Sequence, residues 1–391
     1  MPLDGNDIGL TARIASGIGA LSQTEWSGCY PHEAEGWAYY RACEMRAVPG
    51  VALAAVEVRD AAGLAAAAPL FQLSYRLDTP LQGRLRSLAD AVSRRLPSLT
   101  EWRMLAVGSP YADRCHIALR PDLTDAQRDA ALTALVRAVE AEGESRKAAL
   151  IVYKDLLGEE FAALEGVLGR SRYNQIRSLP FASLDLQDTP DIERYIASLS
   201  AAMRKDIRRK LKAAGGVRVE RRTNIEGLAD KIEALYEETR QHSSVHYGDF
   251  EALPQDYFRS VAQCVGERAQ FMLYWVGDEL AAFNLLLLGR DTVIDKFLGM
   301  RYPLARDNNL YVVSWIENVR FCLETGRRWL QSGQTAYNSK LRLGSRLTAS
   351  SIFARHRNPV INRLIRLAAP FAAFDRWDPD LRRLAAEGKA A

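Results

Sequence analysis

The sequence predicts an α/β (α+β) protein of two related modules with a cleft between them. Each half of the 391-residue chain begins with helical material, continues with an antiparallel hairpin and ends with alternating helices and strands. This order is typical of domains in which helices pack on a sheet. The length allows two domains, and an apolar content of 48% is ordinary for a globular protein. No residue-level repeat relates the halves, so the predicted duplication lies in element order.

The first half is predicted to contain a hairpin followed by helix–strand units. Apolar runs at 51–58 and 64–75 flank the turn at 59–63, which is a hairpin signal. Thr124 is a suitable cap for a helix that runs through Val139. The other predicted elements are helices at 83–95 and 159–168, strands at 102–107 and 149–153, and an extended stretch over 173–186.

The second half is predicted to open with one long helix. Thr189 supplies a cap and Pro190 suits the first turn, and apolar residues from Ile192 to Leu211 recur at helical spacing. The other predicted elements are a strand at 217–222, helices at 225–241 and 254–265, a meander of strands at 271–276, 280–288 and 292–300, a helix at 308–325 and a short strand at 329–333.

A fifty-residue stretch without acids is the strongest compositional signal. The chain has 48 acidic and 52 basic residues, so a window of this length should hold about six acids. None lies between Glu324 and Asp375. The basic residues there are Arg327, Arg328, Lys340, Arg342, Arg346, Arg355, Arg357, Arg363 and Arg366. The pattern predicts an anionic ligand near 330–346 and an anionic membrane surface near 355–366.

The cysteines and the apolar runs bear on the compartment. Five cysteines without a CxxC pair favour a reducing environment over a disulfide framework. The N-terminal stretch lacks a basic region followed by an apolar core, and no apolar run approaches 18 residues. We expect a cytoplasmic protein, either free or peripheral at the inner face of the membrane.

Three stretches of the second half carry a resemblance to a known family. They are FMLYWVGDELAAFNLLLL (271–288), the run from Asp295 to Gly326, and QSGQTAYNSKLRLGS (331–345). They resemble the GNAT acyltransferase superfamily and, more narrowly, its FemAB-like branch of tandem GNAT proteins. The resemblance implies two GNAT-like modules, each a mixed, mostly antiparallel sheet flanked by helices. We expect them at 25–187 and 188–358, followed by a basic amphipathic segment at 359–391.

The resemblance implies acyl transfer to an amine, with acyl-CoA as co-substrate and no metal. Fem peptidyltransferases use aminoacyl-tRNA instead, and the bacterial ceramide synthase type N-acylates a sphingoid base. Family members often bind the donor where a splayed strand meets the next helix, here 292–299 and a helix from about Asn308. The residues predicted to hold CoA are Arg301, Arg306, Asn308, Asn309 and Arg342. The loop RYPLARDNNL lacks the glycines of a typical GNAT pyrophosphate loop.

Two candidates for the general base stand out, because an amine arrives protonated and must lose a proton before it attacks. His246 has a suitable unperturbed pKa, and a hydrogen-bonded loop histidine is the alternative. Asp295 and Lys296 are neighbours inside an apolar strand, so side-chain alternation directs one of them into the interior or the cleft. Asp295 is a base or an ammonium anchor, Lys296 contacts substrate, and a structural ion pair is the alternative.

Further candidates are polar residues in the second half. Asn284, inside an apolar strand, is predicted to orient the acyl carbonyl, with Tyr337 as a second donor. Gln334 and Lys340 are predicted to bind polar or anionic substrate groups, and a helix start whose polar residues satisfy the backbone is the alternative. His242 and His246 lie four apart, but the Glu of HExxH is missing, so no metal is predicted.

Two basic helices raise the question of partners. MRKDIRRKLK (203–212) has no aromatic residues for base stacking, so a solvated helix face is favoured over nucleic acid. The helix from Asn358 has apolar residues at helical spacing with Arg363 and Arg366 among them. It either lies on anionic lipid or packs on the domain. Three hypotheses remain: an acyl-CoA-dependent N-acyltransferase for a small or lipid amine, an aminoacyl-tRNA-dependent transferase, and a non-catalytic membrane-peripheral adaptor.

Overall fold

Fifteen strands make up the sheets in the computed structural model, which describes residues 9–76, 101–242, 253–371, 373, 376 and 378–386. The first seven are β1 (Thr11–Ala15), β2 (Ala52–Asp60), β3 (Gly63–Arg76), β4 (Glu101–Val107), β5 (Ala118–Leu119), β6 (Leu150–Leu156) and β7 (Asn174–Arg177). The others are β8 (Phe181–Asp185), β9 (Val217–Arg222), β10 (Ala269–Val276), β11 (Glu279–Leu288), β12 (Thr292–Met300), β13 (Trp329–Gln331), β14 (Arg346–Thr348) and β15 (Ser351–His356).

Thirteen α-helices flank these strands in the described part of the chain. Those of the first half are α1 (Gln23–Cys29), α2 (Trp37–Glu44), α3 (Asp125–Ser145) and α4 (Gly158–Arg170). Those of the second half are α5 (Ile192–Ser198), α6 (Ala201–Ala213), α7 (Ala229–His242), α8 (Tyr257–Val265), α9 (Leu304–Asp307), α10 (Leu310–Glu324), α11 (Tyr337–Arg342), α12 (Pro359–Ala368) and α13 (Pro379–Ala386). The predicted helix at 83–95 lies outside the described residues.

The strands form two mixed sheets. The first has eight strands in the order β1-β2-β3-β4-β6-β15-β7, with β5 beside β3. The second has seven strands in the order β14-β8-β13-β12-β11-β10-β9. Most neighbours are antiparallel, and each sheet contains one parallel pair, β4 with β6 and β12 with β13. The predicted fold class of two mostly antiparallel sheets flanked by helices is confirmed.

The two sheets exchange strands near the predicted module boundaries. Strand β8 precedes residue 188, yet it pairs with β13 and β14 in the second sheet. Strand β15 lies within 188–358, yet it is inserted between β6 and β7 in the first sheet. The boundaries at 187/188 and 358/359 therefore stay predictions for the modules, and the sheets do not follow them.

The long helix predicted after Thr189 is wrong in two respects. Asp191 caps it, because its side chain accepts a hydrogen bond from the Arg194 amide. The helix breaks at Leu199, and Ser200 starts a second helix by accepting from the Met203 amide. A serine hydroxyl can end one helix and cap the next. The apolar stripe stays continuous because both helices pack against the second sheet.

The core explains how the halves hold together. One apolar layer lies between the first sheet and α3 and α4, and another lies between the second sheet and α5, α6 and α10. A third layer joins α1 and α2 of the first half to α7 and α8 of the second. In that layer the Tyr39 and Tyr257 hydroxyls are 2.7 Å apart. Both halves thus contribute to one continuous interface.

Candidate active site

A cavity of about 870 Å³ lies between the two sheets, where the sequence predicts a cleft. The first sheet lines it mainly with β4, β6 and β15, and the second sheet lines it with β12. Helices α7, α10 and α12 and the loop 332–336 complete most of the described lining. Both sheets therefore line this cavity.

One side of this cavity is apolar. Its side chains come from β3, β4, β6, β7 and β15 of the first sheet. They are Phe71, Tyr75, Trp102, Met104, Ala106, Leu150, Val152, Ile176, Ile352 and Ala354. This apolar wall suits a hydrocarbon chain, because binding there removes apolar surface from water.

The second sheet opens where β12 leaves β13. The two parallel strands pair only through Thr292–Ile294 and Trp329–Gln331. Strand β12 continues from Asp295 to Met300 without β13 beside it. The splayed strand predicted from the family resemblance is therefore present, and the cavity lies next to it.

A β-bulge sets the side chains at this opening. Leu286 of β11 faces Asp295, and the preceding Leu285 faces Phe297, so Lys296 is an extra residue in β12. A bulge re-aims side chains that would otherwise alternate. Both Asp295 and Lys296 line the cavity. The expectation that the two side chains point to opposite faces of the strand is therefore wrong.

A matching bulge carries a charged pair in the first sheet. Ser351 of β15 faces Leu156, and Phe353 faces Tyr153, so two β6 residues lie opposite one β15 residue. The two are Lys154 and Asp155, and both line the cavity. Sequence reasoning missed them, although the signal was the one used for Asp295 and Lys296: adjacent charges inside an apolar strand.

Lys296 is held in a buried ion-pair network. Its Nζ donates to Glu35 Oε1 at 2.7 Å and also to Asp113. Asp113 accepts from Gln331 Nε2 at 2.9 Å, and its backbone amide donates to Glu35. Burial alone lowers the pKa of Lys296, but the two carboxylates outweigh it and raise the pKa. The structural ion pair weighed for Lys296 is present, with partners 183 and 261 residues away.

Asp295 lies beside this network as the candidate base. Its Oδ1 accepts from Asn284 Nδ2 at 2.8 Å. Burial raises the pKa of Asp295 to about 6, against the opposing effects of the Asn284 hydrogen bond and the Lys340 charge. A carboxylate with such a pKa is ionised near neutral pH and is a stronger base than an exposed one. Asn284 is fully buried, and it orients Asp295.

Lys340 is the second unusual group of the polar end. It lies on α11, lines the cavity and donates through Nζ to the Ser332 carbonyl. Burial lowers the pKa of Lys340 to about 8, while Asp295 and Asp113 oppose this shift. The ammonium form therefore predominates at neutral pH, inside a cavity where a charge interacts strongly.

Gln334 and Tyr337 differ in their positions. Gln334 lines the cavity, and its Nε2 donates to the Leu179 carbonyl at 2.7 Å. Tyr337 is fully buried and donates to the Pro180 carbonyl at 2.8 Å. It lies outside the described cavity lining. The structure thus gives Tyr337 a backbone-binding position, and its catalytic role stays a prediction.

The five residues predicted to hold CoA all lie outside the described cavity lining. Arg301 is paired with Glu279 at 2.5 Å. The predicted helix start near Asn308 lies within two residues of the start of α10 at Leu310, and the short helix α9 precedes it. The amides of Asn308 and Asn309 donate to carbonyls of that turn. Arg306 and Arg342 are exposed.

His246 lies outside the described residues, so its role as a base stays a prediction. Its partner in the metal alternative, His242, stacks on Tyr302 with ring centroids 4.5 Å apart. Within the described part of the chain, no group of three or more His, Cys, Asp or Glu side chains is arranged to hold a metal ion. Among the same residues, no helix combines the length and apolar character needed to cross a bilayer.

Comparison with known proteins bears on the second module. Residues 201–341 match the family described as Acetyltransferase (GNAT) domain. This part of the chain is therefore similar to GNAT domains. It contains α6–α11 and β9–β13, and so includes Asp295, Lys296 and Lys340. None of the curated proteins compared with the chain matches it.

Solved structures extend the similarity to both sheets. FemX is 12% identical, with 88% of this chain and 98% of that chain covered and a TM-score of 0.58. A tandem GNAT protein from the clavulanic acid biosynthesis pathway is 12% identical, with 89% and 99% covered and a TM-score of 0.48. The similarity to FemX shows that this chain shares its overall fold.

Proposed function

We propose that this protein is an N-acyltransferase that moves an acyl group from acyl-CoA to an amine. The observation that carries the proposal is one cavity with an apolar wall and a polar end where Asp295 and Lys340 meet. An ionised carboxylate with a pKa of about 6 serves as the base. An ammonium group with a pKa of about 8 serves as an electrostatic stabiliser.

The charge of the polar end favours an amine acceptor. Three aspartates, Asp113, Asp155 and Asp295, and three lysines, Lys154, Lys296 and Lys340, line the described cavity. Glu35 forms an ion pair with Lys296. With its carboxylate included, the formal charge of these seven side chains is minus one. A cationic ammonium group offsets this charge, whereas a phosphate adds to it. We therefore assign the cavity to the acyl chain and the amine, with the CoA phosphates outside it.

The reaction needs no covalent enzyme intermediate. The bound ammonium group first gives one proton to Asp295, which releases it to solvent. The neutral amine nitrogen then attacks the thioester carbonyl carbon, and its second proton passes to Asp295 as the carbon–nitrogen bond forms. Lys340 stabilises the negative charge that develops on the carbonyl oxygen. The carbon–sulfur bond then breaks, and the CoA thiolate takes up the proton. The products are an amide and free CoA.

The apolar wall supports a long-chain substrate. The cavity volume of about 870 Å³ lies in the upper part of the range for small-molecule sites. A sphingoid base combines an amine with a long hydrocarbon chain, and it is the acceptor that we propose, as in bacterial ceramide synthases. Gln334 and Lys296 line this cavity, and Tyr337 lies outside its described lining.

Calorimetric titration with CoA and with a long-chain acyl-CoA tests the donor. We expect micromolar affinity that strengthens with chain length, because longer chains bury more apolar surface. Mass spectrometry after addition of a sphingoid base should then detect the N-acyl product. Binding without product, tested across several amines, would reject the acceptor but keep the donor. No binding of either CoA compound would reject the proposal.

The aminoacyl-tRNA alternative makes a different prediction. A transferase of that type binds tRNA through phosphate contacts, so its affinity falls steeply as salt rises. The acyl-CoA-dependent function that we propose predicts no such binding. Salt-sensitive tRNA binding together with failure to bind acyl-CoA would favour the alternative.

A further inference from the structure

Helix α12 presents apolar side chains to solvent. Val360, Leu364 and Leu367 are 67%, 58% and 66% exposed, and Phe371 just beyond the helix is 69% exposed. These are four of the five large apolar side chains exposed in the described part of the chain. Exposed apolar groups gathered on one surface mark an interaction site.

The opposite edge of α12 is fixed to the first sheet. Asn362 Oδ1 accepts from the His356 amide at 3.0 Å and from Asn174 Nδ2 at 2.8 Å. Its Nδ2 donates to the Arg172 carbonyl at 3.1 Å, and Ile365 packs against the apolar wall. The helix is thus anchored by its inner edge, and its outer face is available to a partner.

The outer face is also positively charged. Arg357, Arg363 and Arg366 are exposed and form no ion pair with any described residue. By contrast, Arg328 and Arg355 in the same acid-free stretch have partners from other elements. A helix with an apolar face flanked by arginines is suited to the interface of an anionic bilayer.

The cavity reaches the surface beside this helix. Ala368 is exposed and lines the cavity, and Ile365 lines it one turn earlier. The apolar wall is therefore continuous with the inner edge of α12. A hydrocarbon chain that leaves the bilayer at α12 meets this wall directly.

We infer that α12 docks the protein on an anionic lipid bilayer, so that a lipid substrate passes from the membrane into the cavity. The docking stands on the exposure and charge of α12 alone. The passage of substrate rests on the proposed function. A bilayer accounts for both signals, since it offers anionic headgroups and an apolar layer within a few ångströms of each other.

Vesicle sedimentation with the full chain tests the docking. The probes are vesicles of phosphatidylcholine alone and of phosphatidylcholine mixed with phosphatidylglycerol. We expect binding to the anionic vesicles that weakens with salt. The double variant Arg363→Gln/Arg366→Gln is expected to bind them ~30-fold more weakly. Leu364→Ser/Leu367→Ser is expected to lose at least ~10-fold through the smaller apolar area.

The other basic helix of the second half, α6, supplies a control for the loss of two positive charges. Arg208 and Arg209 are exposed there, so Arg208→Gln/Arg209→Gln removes the same charge elsewhere. We expect this variant to bind vesicles as the wild type does. The inference would be overturned if both α12 variants bound anionic vesicles as tightly as the wild type. A larger loss of binding in the α6 variant than in the α12 variants would also overturn it. A wild-type dimer in sedimentation velocity that becomes a monomer in Leu364→Ser/Leu367→Ser would also overturn it. In that case the apolar face of α12 would join two copies of the chain.

The passage of substrate is tested separately. In the Arg363→Gln/Arg366→Gln variant, kcat/KM should fall at least ~10-fold for an amine embedded in anionic vesicles, with no change for a water-soluble amine. Equal loss for both amines would overturn the passage, since a change inside the cavity would explain it. If the wild type transfers no acyl group to any amine, the proposed function fails while the vesicle binding remains as measured.

Discussion

The two sheets each contain one parallel pair of strands, and the pairs differ in where they separate. In the first sheet β4 pairs with β6 through Met104–Val107, the last four residues of β4. In the second sheet β12 pairs with β13 only through its first three residues, Thr292–Ile294. The first pair is therefore closed at its end, and the second pair opens for the six residues that follow.

The difference teaches how two similar modules divide one task. Both carry a charged pair on a β-bulge, Lys154–Asp155 in β6 and Asp295–Lys296 in β12, and all four side chains line the cavity. Asp155 accepts from Ser178 Oγ at 2.7 Å and pairs with Lys154 at 2.9 Å. Asp295 accepts from Asn284 Nδ2 at 2.8 Å and interacts with the side chain of Asn318, so its described hydrogen-bond partners are neutral amides. In the function that we propose, the first sheet supplies the apolar wall and the second sheet supplies the reactive groups.

The largest expected effect separates the two lysines. Lys296→Met leaves Glu35 and Asp113 buried without their cation and should lower the free energy of unfolding by ~3–5 kcal/mol. Lys154→Met removes hydrogen bonds to two backbone carbonyls and should cost ~1–3 kcal/mol. Urea unfolding with a constant m value measures both. Adding Asp113→Asn to Lys296→Met should recover part of the loss; no recovery would argue against an unpaired charge as the cause.

The second prediction compares the aspartates in catalysis. Asp295→Asn should lower kcat by ~100-fold or more, because the carboxylate that takes the amine proton is removed. Asp155→Asn should change kcat by less than ~10-fold, since its carboxylate is already engaged by Ser178 and Lys154. Steady-state kinetics with acyl-CoA and an amine measures both. Equal losses would remove the functional distinction between the modules.

A third prediction concerns stability and pH in the same Asp295→Asn variant. Asp295 has a pKa of 3.8 as its ordinary value and about 6 in the folded protein, so the native state binds more protons between these values. Stability of the wild type therefore falls as pH rises through this window. The variant lacks this loss, so its stability relative to the wild type should rise by about 2 kcal/mol between pH 4 and pH 7.

Asp185 provides a control of opposite sign. The Arg328 hydrogen bond holds the pKa of Asp185 below its ordinary value, so this group stabilises the fold above that value and the contribution is lost in acid. Asp185→Asn should therefore become less stable relative to the wild type as pH rises. Chemical denaturation at a series of pH values measures both variants, and the same sign for both would contradict the assignment to Asp295.

The smallest expected effect lies in the alkaline limb of the rate profile. Turnover should rise as Asp295 ionises with a pKa of about 6 and fall as Lys340 loses its proton with a pKa of about 8. Lys340→Arg keeps its charge at alkaline pH, so the fall in turnover should move to higher pH. Relative to its own maximum, the turnover of the variant at pH 8 should be ~2-fold higher than that of the wild type. Lys154→Arg should leave the limb in place. An unshifted limb in Lys340→Arg would remove Lys340 from the reaction.

The sequence predicted the parts of the site that local pattern controls. The meander β10–β12 follows from apolar runs and turn residues, and Asp295, Lys296, Gln334 and Lys340 line the cavity as candidates. The bulge at Lys296 was not predictable, because it depends on register with β11. Glu35 and Asp113 carried no signal, since they reach Lys296 from 261 and 183 residues away. Long-range contacts of this kind have no local periodicity.

The insertion of β15 has a consequence for how the chain folds during synthesis. Strand β7 pairs with no strand other than β15 among the described residues, and β15 also covers the edge of β6. Until residue 356 leaves the ribosome, β15 cannot join β6 to β7 and the first sheet stays incomplete. During that time the edge of β6 is open to pairing with another chain. The halves therefore cannot mature one after the other, and a chaperone that shields this edge until the last strand arrives would raise the yield of native protein.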